Sequence, residues 1–383
     1  MPAAASRTFL RENNRMKILV AAPGFDSREK HEVNIFALDQ AKALRDAGHD
    51  VRFAAVDTRS IRHARPFGFQ SYTLDGIGVY YGAIPCGALP LGLPALAGRA
   101  AASGVWRAVT KDGWKPDVVH QHFGFDFAAI AEREKIPVVF TEHSSHHNRA
   151  LSPEQANRLK EEYTRCAAVL AVSQTLAEAM RANTGVEAAV VPNIVDTARF
   201  APKRIVHERF TFVSAGNLIP VKNMAGLLRA FAALDGEPKL VIFGDGTESG
   251  ALRALCAGLG LEGRVAFRGH CPREELAEAY AAADCFVLAS RSETFGVAYI
   301  EAMASGLPVI ATRCGGPEDF VTEKNGIMVP VDDERALTAA MERMMRCRAE
   351  YDGAAIAAEA KERFSPEKIA AQLTAVYEEV ISC

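Results

Sequence analysis

The chain has 383 residues, which at roughly 150 residues per domain means two or three compact units. Hydrophobic residues make up 49%, charged residues 24% and aromatics 8%, the make-up of an ordinary globular protein, so disorder and fibre are excluded. With 44 Lys and Arg against 47 Asp and Glu and a net charge of -3, no global field favours nucleic acid, and any anionic ligand must be gripped locally. The eight cysteines include no C-x-x-C pair, which fits a reducing, cytoplasmic setting. Residues 1–15 lack the apolar core of a signal peptide and read as a flexible extension ahead of Met16. No run of about 18 uncharged apolar residues follows, so no membrane span is expected.

From Lys17 onward short apolar runs alternate with amphipathic stretches, the pattern of βαβ units around a parallel sheet. Lys17–Ala22 reads as a strand, Asn34–Ala47 as a helix with Ile35, Leu38, Ala41 and Leu44 on one face, and Val51–Val56 as the next strand. Further strands are expected at Val118–His122, Val138–Thr141, Val169–Val172 and Ala189–Val191. Helices are expected at Phe125–Glu134, Ser152–Cys166 and Gln174–Thr184. Residues 81–106 carry the single charge Arg99 together with Pro85, Pro90 and Pro94. The prolines argue against one long helix there. The stretch reads either as a partly buried irregular connection or as an apolar surface for a lipid or lipid-linked acceptor.

Around Pro192 to Arg209 the pattern breaks, which sets domains at 16–200 and 201–364. The alternation restarts with strand Phe210–Ala215, helix Met224–Ala233, strand Lys239–Phe243, helix Ala251–Leu259, strand Val265–Arg268, helix Glu274–Ala283 and strand Cys285–Leu288. Residues 365–383 form a last helix behind Ser365, with Ile369, Leu373, Val376 and Tyr377 along one side; it can pack on either domain.

The most informative segment runs from Ser290 to Pro308, following a strand and opening a helix. The unpaired amides of Phe295, Gly296 and Val297 at that helix start suit an anion. Glu293 and Glu301 flank the site, and carboxylates accept hydrogen bonds from vicinal hydroxyls, so a polyhydroxylated phosphate ester fits. Gly216, Asn217 and Lys222 after one strand, and Gly244 and Gly246 after the next, fall at strand ends where open α/β sheets bind ligands, as do Gly315 and Gly316.

In this combination the chain resembles the retaining glycosyltransferases of family 4 (group 1). The resemblance spans Met16 to the C-terminus. It is carried by Glu293-x7-Glu301 in SRSETFGVAYIEAMASGLPVI, with Pro116–His120, Thr141–Ser145, Ala171–Ser173, Pro192–Asp196 and Gly315–Val321 in support. It implies the GT-B fold, an α/β architecture of two Rossmann-like doubly wound domains facing each other across a cleft, with the last helix crossing back. The implied activity moves a sugar from a UDP- or GDP-linked donor to a glycan or lipid-linked acceptor in cell-surface polysaccharide or glycolipid assembly. The donor nucleotide sugar would be held by the second domain and the acceptor by the first, with peripheral contact at the inner membrane face.

By the same resemblance Glu301 would bind ribose hydroxyls and Glu293 the sugar, Lys222 would neutralise the diphosphate, and His143 would lie near the donor sugar. Gly24, Asn34 and His122 would stand on the acceptor side. No metal or other cofactor is implied. Asn217 stands where relatives carry arginine, and Arg291 is a candidate substitute. Rival readings are a nucleotide-sugar epimerase, a catalytically dead binding subunit, or a zinc hydrolase using His120, His122, His143, His146 and His147.

Overall fold

The computed structural model describes residues 15–24, 35–58, 67–84, 86, 93–124, 126–203 and 208–382, with 93–95 as backbone only. Asn34 and the expected N-terminal extension up to residue 14 lie outside the described residues. Packing divides the chain into two units. The first comprises residues up to Val172, Met180–Ile194 and Pro366–Cys383; the second comprises Ser173–Ala179 and Val195–Ser365.

The first unit contains β1 (Lys17–Pro23), α1 (Ile35–Asp46), β2 (Asp50–Asp57), β3 (Gly68–Leu74), β4 (Ile77–Ala83), α2 (Leu93–Val109), β5 (Val118–His122), α3 (Ala128–Arg133), β6 (Val138–Glu142), α4 (Pro153–Thr164), β7 (Ala168–Ala171), the end of α5 (Gln174–Thr184) from Met180 onward, and β8 (Ala189–Val190). Its sheet runs β3-β4-β2-β1-β5-β6-β7-β8. All its pairings are parallel except β3 with β4. Alternation along β1 buries both faces, as a central parallel strand requires. Ile18 and Val20 pack towards α1 and the final helix, Leu19 and Ala21 towards α2 and α3.

The β3–β4 hairpin is absent from the sequence reading, although its signal is present: Asp75 and Gly76 both take positive φ (47° and 79°), the type I′ geometry that an Asp-Gly pair favours between antiparallel strands. The structure also corrects the expectation for residues 81–106. A 17-residue helix, α2, begins at Leu93. Pro94 falls in its first turn, where no intrahelical N–H is needed, so this proline opens the helix rather than breaking it.

The second unit holds β9 (Thr211–Ala215), α6 (Met224–Ala232), β10 (Lys239–Phe243), α7 (Ser249–Gly258), β11 (Val265–Gly269), α8 (Arg273–Ala281), β12 (Cys285–Leu288), α9 (Val297–Ala304), β13 (Val309–Thr312), β14 (Gly326–Val329), α10 (Glu334–Cys347) and α11 (Gly353–Phe364). Its wholly parallel sheet has the order β11-β10-β9-β12-β13-β14. This is the doubly wound arrangement whose order reverses beside the first strand, here between β9 and β12. Ligand crevices of such sheets open at that reversal, beyond the carboxyl ends of the strands. The chain ends in α12 (Pro366–Ser382). Its Ile369, Ala370, Leu373 and Tyr377 join the first unit's core, and the Tyr377 hydroxyl lies 2.6 Å from Nδ1 of His120. Among the described residues no helix is long and apolar enough to cross a membrane.

Candidate functional site

In the second unit the loops after β9 and β10 close on one another through backbone. The Gly216 amide donates to the Phe243 carbonyl (3.1 Å) and the Leu218 amide to the Asp245 carbonyl (2.9 Å). Gly244 has φ +117°, and a Cβ there would lie 2.0 Å from the Gly216 carbonyl oxygen. Both facts demand glycine. Gly244→Ala is therefore expected to cost about 3 kcal/mol or more through strain and a backbone clash, read as a lowered urea midpoint; an unchanged midpoint would show that the two loops can part freely. Gly246 is equally confined, its missing Cβ falling 2.4 Å from the Leu218 carbonyl oxygen. Asn217 is exposed at the tip of this loop pair.

Beyond Gly216 the chain makes a short 3-10 turn, Pro220–Lys222, that delivers Lys222 to the β12 end. There Lys222 Nζ donates to Glu293 Oε1 at 2.6 Å, and the buried Ser290 hydroxyl donates to the same oxygen at 2.7 Å. The backbone of Glu293 is clamped by the loop after β13. Its amide donates to the Cys314 carbonyl (2.9 Å), and its carbonyl accepts from the Gly316 amide (3.0 Å). Gly315 permits that approach, since a Cβ would stand 2.5 Å from the Glu293 carbonyl oxygen. Sequence reasoning found Lys222 and both acids but missed Ser290 as the hydroxyl that fixes Glu293.

Phe295 is buried against Phe320 and Phe364, which pins the start of α9. Gly296, in the left-handed conformation, precedes Val297 as the helix cap. Among the described residues the amides of Phe295, Gly296 and Val297 donate to no protein acceptor. Oriented, unpaired amides at a helix start attract an anion. One turn on, the buried Glu301 has Arg273 Nε 4.0 Å from its Oε1, a cation the sequence reading did not anticipate. The suggested substitute cation, Arg291, is otherwise engaged. It donates to Asp332 Oδ1 (2.8 Å), the Pro220 carbonyl (2.7 Å) and Asn223 Oδ1 (3.1 Å), so it braces the turn that carries Lys222. Ser173, Gln174 and Thr175 also belong to this unit. The Ser173 hydroxyl donates to the Thr294 carbonyl (2.6 Å), and the Gln174 amide and Thr175 hydroxyl donate to Asp319.

In the first unit the corresponding strand ends carry Gly24 after β1, His122 at the end of β5 and His143 just beyond β6. Gly24 donates its amide to the Val56 carbonyl at 2.8 Å. His122 Nδ1 and His143 Nε2 share a hydrogen bond of 2.9 Å, and the outer nitrogens, His122 Nε2 and His143 Nδ1, are buried without partners. The Phe123 ring stacks on His143 at 4.4 Å. Burial lowers His143 to about 4, with Glu142 opposing, and pushes His122 well below its ordinary value. Both rings are neutral near pH 7, and together they present one N–H donor and one lone-pair acceptor.

Glu142 fixes this pair from behind. Its Oε1 accepts from the amides of His143 (2.9 Å) and Ser144 (2.7 Å), and its Oε2 from the Tyr163 hydroxyl (2.5 Å). His120 is no free ligand. Its two nitrogens meet Thr141 Oγ1 (2.7 Å) and the Tyr377 hydroxyl, while the buried His147 pairs with the Tyr163 hydroxyl (2.9 Å). The five histidines thus do not act as one ligand set, and the zinc reading loses its donors.

A family model described as Glycosyl transferases group 1 matches residues 195–363, and one described as Glycosyltransferase Family 4 matches residues 33–199. A D-inositol 3-phosphate glycosyltransferase of Xylanimonas cellulosilytica is 30% identical over 344 residues, covering 79% of this chain and 81% of its own. A Bacillus subtilis glycosyltransferase named for teichuronic acid biosynthesis is 28% identical over 362 residues, 86% of this chain and 89% of its own. Among solved structures, Anabaena HepE in complex with UDP matches with a TM-score of 0.74 at 19% identity, over 95% of this chain and 100% of that one. The chain therefore belongs to the family 4, group 1 glycosyltransferases and has their GT-B fold.

Proposed function

We propose that this glycosyltransferase takes its sugar from a nucleoside diphosphate donor bound in the second unit and transfers it with retention, without a metal ion, to a hydroxyl of a glycan or lipid-linked acceptor. The observation that carries the reading is the Ser290–Glu293–Lys222 constellation next to the unpaired amides of Phe295–Val297, at the reversal of the second sheet. A departing diphosphate gains negative charge as the glycosidic bond breaks. Lys222 and the helix amides are fixed beforehand where that charge would develop, which is how a low-dielectric site lowers a barrier. In this reading Glu301, one turn along α9, takes the ribose hydroxyls, and Glu293 a hydroxyl of the sugar.

The step consists of breaking the bond between the anomeric carbon and the diphosphate oxygen and forming a bond from the acceptor oxygen on the same face. The acceptor proton passes to the departing diphosphate oxygen. In the first unit His143 and His122, being neutral, would serve substrate hydroxyls as hydrogen-bond partners, with Gly24 and Asn34 on the acceptor side. The Asp and Glu side chains named here have no part as metal ligands in this scheme. Placement of the enzyme in cell-surface polysaccharide or glycolipid assembly is supported by the Bacillus subtilis relative's name, and a cytoplasmic setting by the unpaired cysteines among the described residues.

The test is a thermal-denaturation panel with UDP, GDP and ADP and their sugars, all with chelator. A nucleotide at about 100 times its Kd should add roughly 2.7 kcal/mol to stability. UDP is the first to try, given the Anabaena complex. NMR of the product would then show the anomeric configuration kept. Stabilisation by no nucleotide, or an inverted product, overturns the corresponding part of the reading.

A further inference from the structure

We infer, on the reading that the first unit holds the acceptor, that the loop after β5 takes a neutral pyranose, with Phe123 as the platform under the sugar ring and Asp126 as the carboxylate that accepts hydrogen bonds from its hydroxyls. In the first sheet the strand order reverses between β1 and β5, so the crevice beyond the carboxyl ends of the strands opens beside this loop.

Phe123 is held in a conformation that its side chain disfavours. Its φ is +62°, and the Gly124 amide donates to the His122 carbonyl across it at 2.8 Å, closing a three-residue turn of a rare and strained kind. A bulky residue at positive φ is an outlier, and such strain persists at functional sites where the surroundings enforce it. Gln121 supplies the brace, its Nε2 donating to the Gly124 carbonyl at 3.1 Å. The result is a ring that lies nearly flat on His143, at 4.4 Å and 19°, and is still 39% exposed. A half-exposed ring on a strained backbone contributes little to folding. It offers an apolar face to a ligand.

Further along the loop the Asp126 carboxylate lies between α2 and the turn. A Cβ on Gly98 would stand 3.4 Å from its Oδ1, and one on Gly124 3.7 Å from its Oδ2. Among the described residues it has no hydrogen-bond or ion-pair partner, and burial alone pushes its carboxyl up from the ordinary range. Around the same turn Gln121 Oε1, His122 Nε2 and His143 Nδ1 are buried without partners, a concentration of unpaired polar atoms that interiors seldom keep. An aromatic face beside unused acceptors matches a pyranose, which has a C–H face and a rim of hydroxyl donors. A phosphate or carboxylate on the acceptor would meet an uncompensated negative charge here and be repelled.

The test is saturation-transfer NMR on the full chain, with and without UDP, and it needs no turnover. The probes are the methyl glycosides of glucose, mannose, galactose and N-acetylglucosamine, with glycerol 3-phosphate and myo-inositol 1-phosphate for comparison. At least one pyranoside should bind, with saturation strongest on the C–H protons of one ring face, and neither phosphate should. Phe123→Ala should weaken that binding about tenfold, as loss of an aromatic anchor does, and Phe123→Tyr should keep it within about twofold. Asp126→Asn should weaken it several-fold. Phe123→Gly should lose binding at an unchanged or higher melting midpoint, because glycine accepts the positive φ; a lowered midpoint with binding kept would make the ring purely structural and overturn the inference. Stabilisation by nucleotide should be the same in every variant. No pyranoside bound while nucleotide still stabilises, preference for either phosphate, or undiminished binding by both Phe123→Ala and Asp126→Asn overturns the subsite alone. Loss of nucleotide stabilisation in the unaltered protein strikes the donor reading instead.

Discussion

Lys222→Ala and Glu293→Ala should each destabilise the second unit by about 3–5 kcal/mol, whereas the double variant should recover most of that stability and still transfer no sugar. The salt bridge is 2.6 Å long and largely shielded, with side-chain exposures of 20% and 9%. Removing the lysine strips the carboxylate of its cation in a poorly solvated place. Removing the carboxylate does the same to the lysine. Removing both relieves the mismatch, so stability is non-additive in the favourable direction. Activity should behave differently, because the proposed transition state needs the lysine for the diphosphate and the carboxylate for the sugar. Each single variant should lose about 10²–10³ in rate, the usual consequence of deleting one preorganised electrostatic contact, and the double variant should gain none of it back. Urea denaturation and initial rates on the same preparations separate the two readouts. Additive stability losses would mean that the pair is not energetically coupled, and a fully active Glu293→Ala variant would remove Glu293 from the machinery.

Much of the second unit was legible because its signals are local. The strand-end glycines, the acid pair eight residues apart and the helix opened by Gly296 all lie in short segments whose backbone demands the sequence displays directly. The sequence marks Ser290 only as part of the motif, because its role depends on a side-chain rotamer and on the distant turn that brings Lys222 to Glu293. Arg291 shows the converse. Its charge suggested a diphosphate contact, but its geometry sends it to Asp332 and the Pro220 carbonyl. Charge is visible in a sequence, and the direction in which a long side chain reaches is not.

The first unit was less legible for a different reason. Proline breaks a helix only beyond its first turn, and Pro94 stands where its missing N–H costs nothing. The hairpin of β3 and β4 needed only its Asp-Gly turn to be noticed. The histidine cluster could not be sorted by spacing at all. His120 and His122 point to the same side of β5, yet one is consumed by Thr141 and Tyr377 and the other is left to meet His143. That division depends on α12, some 250 residues away in the chain.

Acidification should weaken the first unit in a window the histidines define. Burial lowers His120 to about 3, with His143 as the lesser cause, lowers His143 to about 4 against the opposing charge of Glu142, and lowers His122 well below its usual value. The unfolded chain titrates these groups near 6.5. Above that pH both states are neutral and the histidines contribute nothing to the pH dependence. Below it the unfolded state takes up protons that the folded state refuses, so stability falls as pH falls, down to about 4 for His143 and about 3 for His120. Each histidine costs about a factor of ten in the folding equilibrium per pH unit, up to about three decades for the trio. The chain's two tryptophans, Trp106 and Trp114, are both buried in the first unit, so intrinsic tryptophan fluorescence follows that unit alone. Denaturant midpoints from pH 7 to pH 5 should decline steeply below about 6.5, and His143→Gln should make the decline shallower by about one decade per pH unit. Midpoints that stay level to pH 5 would mean that the folded protein takes up protons on these rings as readily as the unfolded chain does, and with that the assignment of His143 and His122 as buried rings held neutral would fall.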